Sequence, residues 1–225
     1  TNKRWATGFF ANITTENLTT NDLDFGSIDL ISVPGNIYYV GTNGSDSATG
    51  THPQDPVRTI AKGLAMAGSG DTVYVYPGTY QEAFPLDVPV GVVVKGHSLR
   101  SVEISPTSGT QSNDAFRLQG DSTVEDLTIK DFYYNSGSDT GYGFRFAPNF
   151  RVYLRSPYVR NVTVITKGTT TSNTDPRGFS SGDAGRGALL DGSIANIDSR
   201  EASMLFHSVT FITPGQTALK VTNGS

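Results

Sequence analysis

Val124-Glu125-Asp126-Leu127-Thr128-Ile129-Lys130 returns twice along the chain, as Val159-Arg160-Asn161-Val162-Thr163-Val164-Ile165 and Phe206-His207-Ser208-Val209-Thr210-Phe211-Ile212. Each copy has an apolar residue, two polar ones, then aliphatic-Thr-apolar, a run of strand-forming residues. Each also has an upstream partner at 115–118, 143–146 and 187–190, and a fourth partner begins at 217–220. The step from Leu127 to Val162 is 35 residues and from Val162 to Val209 it is 47. Strands of constant form at unequal intervals describe coils of fixed cross-section with loops of different length, because a loop leaving a coil corner does not disturb the stack.

The fold predicted by this pattern is all-β, a parallel β-helix whose aliphatic columns point inward. Asp126, Asn161 and Ser208 share one column near a bend, where short polar side chains hydrogen-bond backbone. Glu125, Arg160 and His207 share the neighbouring, outward column. A β-sandwich also gives short strands with turns, but it needs neither a helix before its first strand nor a recurring strand pair.

Upstream, 92–95 and 102–104 read as strands of earlier coils. Before them, 38–40 is a strand that breaks at Gly41 and the loop Asn43-Gly44-Ser45-Asp46. Asp55 is placed to cap a helix with Pro56 at its first position, where a missing N–H costs nothing. Ile60, Leu64 and Ala67 follow at i, i+4 and i+7, and Gly68 stops the helix. Val73 and Val75 then alternate with Tyr74 and Tyr76 until Pro77-Gly78 turns the chain. So short a helix is not stable alone. Its apolar face is expected to plug the first coil, the cap that an open solenoid requires.

Residues 1–35 read differently, as an extended attachment arm ahead of a β-helix domain at 36–225. Asn12-Ile13, Asn17-Leu18, Asp22-Leu23 and Ser27-Ile28 set a small polar residue before an aliphatic one at a spacing of five. Four such pentads make one coil at most, which cannot bury its own column, so a Thr/Asn-rich connector is the simpler reading. Trp5, Phe9 and Phe10 are its candidate anchors. Thr1 in place of Met, and Ser225 following strand-like sequence, are expected of a piece of a longer protein.

A net charge of −4 with 17% charged residues and no basic stripe argues against a nucleic-acid partner. No apolar run approaches the length of a membrane span. Cysteine is absent, so no disulfide contributes to stability.

The stretch from Tyr38 to Glu82 resembles the opening segment of right-handed parallel β-helix proteins of the pectin-lyase-like superfamily, of the domain-of-unknown-function 1565 type. The residues that carry the resemblance are Tyr39-Val40, Gly44-Ser45-Asp46, Gly50-Thr51, Pro56, Thr59-Ile60, Leu64, Ala67, Gly70-Asp71, Val73, Val75, Pro77-Gly78-Thr79-Tyr80 and Glu82. Gly63 departs from the pattern, standing where Ala is usual. The resemblance is specific for fold and weak for function, because lyases, epimerases, surface adhesins and phage tail proteins share this segment. With its Thr/Asn-rich arm and loop-rich coils, the chain also looks like a bacteriophage tail, fibre or baseplate component.

That resemblance directs a search for polysaccharide-cleaving residues. Arg155 and Arg160 fit the Arg-x-Pro-x-x-Arg motif of pectate lyases, but no acidic calcium cluster precedes them, and Arg160 is equally explained as an outward face residue. Asn173-Thr174-Asp175 matches one polygalacturonase motif without its companions. Asp183, Asp191 and Asp198 stand in turn-like contexts. His52, His97 and His207 have no metal-ligand spacing, and an Asx-turn accounts for Asn43–Asp46 more simply than calcium does. No cofactor or metal is expected.

The expectation is a structural and receptor-binding module of a virion rather than an enzyme. Its arm would join other virion proteins, and its loops 132–142 and 166–186 would face a receptor, such as a host polysaccharide, or a neighbouring subunit. Tyr133, Tyr134, Tyr142 and Phe179 are the candidate contact anchors there. The alternatives are a polysaccharide lyase or hydrolase of tailspike type and a bacterial surface adhesin. A homo-oligomer is expected, with a trimer as the candidate order, because the arm and the last strand near Val221 leave apolar or edge surface to cover.

Overall fold

The computed structural model describes residues 35–146, 156–166, 184–192 and 204–223. All of them lie in the compact unit Pro34–Ser225; the arm with Trp5, Phe9 and Phe10 lies outside the described residues. The elements are β1 (Ile37–Val40), α1 (Ile60–Met66), β2 (Thr72–Val75), β3 (Gly78–Glu82), β4 (Leu86–Val88), β5 (Val93–Gly96) and β6 (Val102–Pro106). There follow β7 (Phe116–Leu118), β8 (Thr123–Lys130), β9 (Tyr142–Phe146), β10 (Tyr158–Ile165), β11 (Arg186–Gly192), β12 (Leu205–Ile212) and β13 (Leu219–Asn223).

Every ladder between these strands is parallel. The larger sheet has eight strands; β1-β2-β5-β8-β10-β12 form its path, and β3 pairs with β6, which pairs with the second half of β8. The smaller sheet has five strands in the order β13-β11-β9-β7-β4. The repeat read from sequence is thus a physical register: Val124, Val159 and Phe206 are successive neighbours, as are Leu127, Val162 and Val209. The upstream partners become β7, β9, β11 and β13, stacked in that order. The described residues form a mostly β protein of parallel strands with one helix, consistent with a β-helix-like fold.

Period-two alternation sends one face of each strand into the core. Val73, Val94, Val124 and Val159 make one fully buried column, and Ile104, Ile129 and Val164 another. From the smaller sheet come Phe116 and Phe144, stacked with ring centroids 5.9 Å apart. Asp126, Asn161 and Ser208 all hold a left-handed backbone, with φ of 60°, 50° and 55°. They interrupt the paired register between the two halves of β8, β10 and β12. This is the expected bend, and it is polar because Asn and Asp tolerate that conformation best among non-glycine residues.

The start of the helix differs from expectation. Neither Asp55 nor Pro56 caps it. Val57 forms a parallel bridge with Val40, donating its N–H to Tyr39 O (2.9 Å) and accepting from Gly41 N (2.9 Å). This tertiary pairing keeps the chain extended past Pro56, so the helix begins at Ile60. The N-cap is Thr59, whose Oγ1 accepts from Lys62 N (3.1 Å). Ile60 and Leu64 are buried as expected, whereas Ala67 is the C-cap and is only half-buried. Gly63 lets the helix lie directly on the first strands, since a Cβ there would come within 2.9 Å of Val73 Cγ1 and 3.1 Å of Val40 Cγ2. Two strands were also missed: β3 and β4 follow Pro77 where the sequence shows only a turn.

Candidate functional site

The residues that point away from the core of the larger sheet form a continuous row. Parallel register makes Tyr39, Tyr74, Lys95, Glu125, Arg160 and His207 successive neighbours across β1, β2, β5, β8, β10 and β12. Strands about 4.8 Å apart give this row a length of about 24 Å.

Its central part is a chain of ion pairs. Glu125, only 8% exposed, accepts from Lys95 Nζ (2.5 Å) on one side and from Arg160 Nε (2.9 Å) on the other. Lys95 also reaches Asp126 (2.7 Å), which in turn accepts from Asn161 Nδ2 (2.7 Å). Burial pulls the Lys95 ammonium down, but its bonds to Asp126 and Glu125 outweigh that and hold it above its usual value. Burial likewise raises Asp126, yet Lys95 and Asn161 bring it below the usual carboxylate range. The hydrogen bond from Arg160 to Glu125 pushes the guanidinium further up. Arg160 here ties β10 to β8 through Glu125. Arg155, its sequence partner, lies outside the described residues.

The row begins with aromatic rings. Tyr39 and Tyr76 are stacked, 5.9 Å apart at 18°; Tyr74 stands edge-on to Tyr39 (6.1 Å) and to Tyr76 (5.6 Å). His97 continues the patch, edge-on to Tyr74 at 6.4 Å, with Nδ1 2.9 Å from the Tyr74 hydroxyl. The three tyrosines are half-exposed and His97 is exposed. The sequence reading placed Tyr74 and Tyr76 opposite the core valines but did not single them out. Their alternation with Val73 and Val75 was the available signal.

Several residues of the loop 132–142 pack within the fold. Phe132 is buried edge-on to Phe84, and Tyr133 bridges antiparallel to Ala184. Tyr134 lies under the Arg186 guanidinium, 3.6 Å from its ring centroid, and edge-on to Tyr142. Tyr142, expected as an exposed anchor, opens β9 and has no exposed surface. The reason is Asp139, which accepts from the Tyr134 and Tyr142 hydroxyls (both 2.8 Å) and from Lys220 (3.0 Å) and so draws the loop onto the smaller sheet. Burial pushes Asp139 up, but these partners outweigh it and bring its carboxyl down to about 2. Fully buried Asp114 secures the same corner, accepting from Gly141 N (3.1 Å), Tyr142 N (3.2 Å) and Arg145 Nε (2.6 Å). Phe179 lies outside the described residues.

A cleft of about 490 Å³ beside the helix is lined by Thr42, Arg58, Thr59, Thr79 and Gln81, with Glu82 at its base. Glu82 is 2% exposed and accepts from Ile60 N (2.7 Å) and Ala61 N (3.3 Å). Burial raises its carboxyl above the usual value, the two backbone bonds pull the other way, and nearby Asp46 adds to the rise. Asp46 itself accepts from Arg58 N and Thr59 N (both 2.9 Å). The loop Asn43–Asp46 thus ties down the residues that open the helix. Asn173–Asp175, Asp183 and Asp198 lie outside the described residues, and Asp191 stands opposite Thr222 in register. Among the described residues, no group of three or more His, Asp or Glu is placed to hold a metal, and no helix is long and apolar enough to cross a membrane.

Fold and site together define a mostly β protein of parallel sheets with an outward row that passes from aromatic to ion-paired. Residues 42–129, from the loop after β1 into β8, match the model of a family described as a protein of unknown function, DUF1565, which is associated with the right-handed β-helix fold. Neither the curated proteins nor the solved structures compared with the chain gave a match.

Proposed function

We propose that the protein is a right-handed parallel β-helix serving as a non-enzymatic structural and receptor-binding component of a bacteriophage tail, fibre or baseplate. The observation that carries this reading is the Lys95–Glu125–Arg160 chain. Lys95, Glu125 and Arg160 are bonded to one another across successive strands, which stiffens the stack. An Arg–carboxylate pair made through two guanidinium nitrogens, Nε and an Nη, also gives geometric rigidity. The same outer face carries the half-exposed tyrosines, so one surface combines rigidity with a place for contact. The Thr/Asn-rich segment 1–35 supports attachment to other virion proteins, and assembly into a homo-oligomer belongs to the same proposal.

Mass spectrometry of purified particles tests the placement, and competition of the isolated protein with particles for host cells tests the binding role. The expected results are presence of the polypeptide in the particle and reduced adsorption. Absence from the particle overturns the virion assignment. Release of unsaturated sugars or new reducing ends from host polysaccharide would replace the binding role by a tailspike enzyme.

A further inference from the structure

We infer that Tyr39, Tyr74, Tyr76 and His97 form a binding platform for a neutral, hexopyranose-containing glycan. This inference deepens the receptor-binding reading and rests on it for its biological setting, but its chemistry stands on the patch itself. The rings are 5.6 to 6.4 Å apart, about the span of one sugar ring. Tyr39 and Tyr76, stacked on each other at 18° and half-exposed, leave ring surface for the C–H side of a pyranose. The polar atoms lie at the rim. The Tyr74 hydroxyl and His97 Nδ1 hold each other, and Tyr76 donates its hydroxyl to Pro53 O (3.1 Å). Among the described residues no hydrogen bond engages the Tyr39 hydroxyl or His97 Nε2. A ligand must therefore present both an apolar face and hydroxyl groups, as a pyranose does.

The charge balance within the row favours a neutral member of that class. The adjacent cations Lys95 and Arg160 face Glu125 and Asp126. Two positive and two negative charges cancel, leaving no free cation in the row for a uronate or sialate. Four partly covered rings also expose far less than the about 800 Å² per side that a standard protein interface buries, which favours a small repeating unit over a protein partner. The strands hold the rings in place before binding, so little side-chain freedom is lost on contact.

The test is NMR titration of the whole protein with dextran and mannan oligosaccharides and with oligogalacturonate, beside host-cell binding of the same samples. Shifts at Tyr39, Tyr74, Tyr76 and His97 with a neutral probe are expected, together with roughly tenfold or greater weakening in Tyr39→Ala and His97→Ala. A circular dichroism spectrum and thermal midpoint matching the wild type show that each variant keeps the fold. The platform is overturned if no neutral probe shifts these residues, if oligogalacturonate binds more tightly, or if Tyr39→Ala and His97→Ala bind as well as wild type. Cell binding that persists unchanged in both variants would remove the platform while leaving the receptor-binding reading intact. Loss of cell binding in the wild type would remove that reading instead.

Discussion

Asn161 donates its side-chain N–H to the Asp126 carboxylate at 2.7 Å across adjacent strands, and both residues hold a left-handed backbone. Ser208 repeats the conformation one strand further on. The bend thus depends on two properties at once, tolerance of positive φ and a short polar side chain that reaches its neighbour. Gly96 shows how tight the stack is here, since a Cβ at that position would come within 2.2 Å of Asp126 O.

Asn161→Ala removes both properties and Asn161→Gly only the second. The alanine variant is expected to lose about 2 kcal/mol, roughly 1 for the left-handed backbone and 1 for the hydrogen bond. The glycine variant is expected to lose less, because glycine adopts positive φ freely. Urea denaturation of the two variants beside the wild type checks the order.

Asp139 should make the 133–142 loop acid-sensitive. Its folded pKa of about 2 lies below the ordinary 3.8, so its contribution is present above 3.8 and is lost as pH falls toward 2. The group is 43% exposed, and solvent screening keeps the effect modest. The protection factors of the loop amides, exchange rates corrected for their intrinsic pH dependence, are expected to fall across that window in the wild type. Asp139→Asn should show lower protection already at neutral pH and no further step on acidification.

Glu82 acts in the opposite direction. Its pKa is raised above 4.5 in the folded chain, so the folded state holds the proton more tightly than the unfolded one. Stability at this site is greatest below 4.5 and declines as pH rises through the folded pKa. Glu82→Gln keeps an acceptor for Ile60 N and should abolish this slope, read from thermal midpoints against pH. Glu82→Leu leaves the Ile60 and Ala61 N–H groups without their acceptor and should cost about 1–3 kcal/mol for each donor that stays buried.

What the sequence made legible was repetition. The three copies around Leu127, Val162 and Val209 align by eye, and their register in the sheet follows the same alignment. Partner strands were readable for the same reason. The helix start was not, because Asp55-Pro56 is a valid local signal that the Val57–Val40 bridge overrides. Tyr142 looked like a loop aromatic until Asp139 and Asp114 drew it into the fold. The aromatic patch required knowing that Tyr39 and Tyr74, 35 residues apart, are neighbours in register. Parallel strands joined by long connections give no local sign of such a pairing.

The outward row rests on the register that sets Glu125 opposite Arg160, and a cysteine-free chain allows a clean test of it. Adjacent parallel strands bring paired Cα atoms within the roughly 4.4–6.8 Å that a disulfide spans. In the double variant Glu125→Cys/Arg160→Cys, mild oxidation should close an intramolecular disulfide in nearly all molecules. Glu125→Cys/Thr163→Cys, displaced along the strand, should remain reduced. Closure of the displaced pair, or failure of the first pair to close in a folded protein, would contradict the register and with it the row of residues on which the binding face depends.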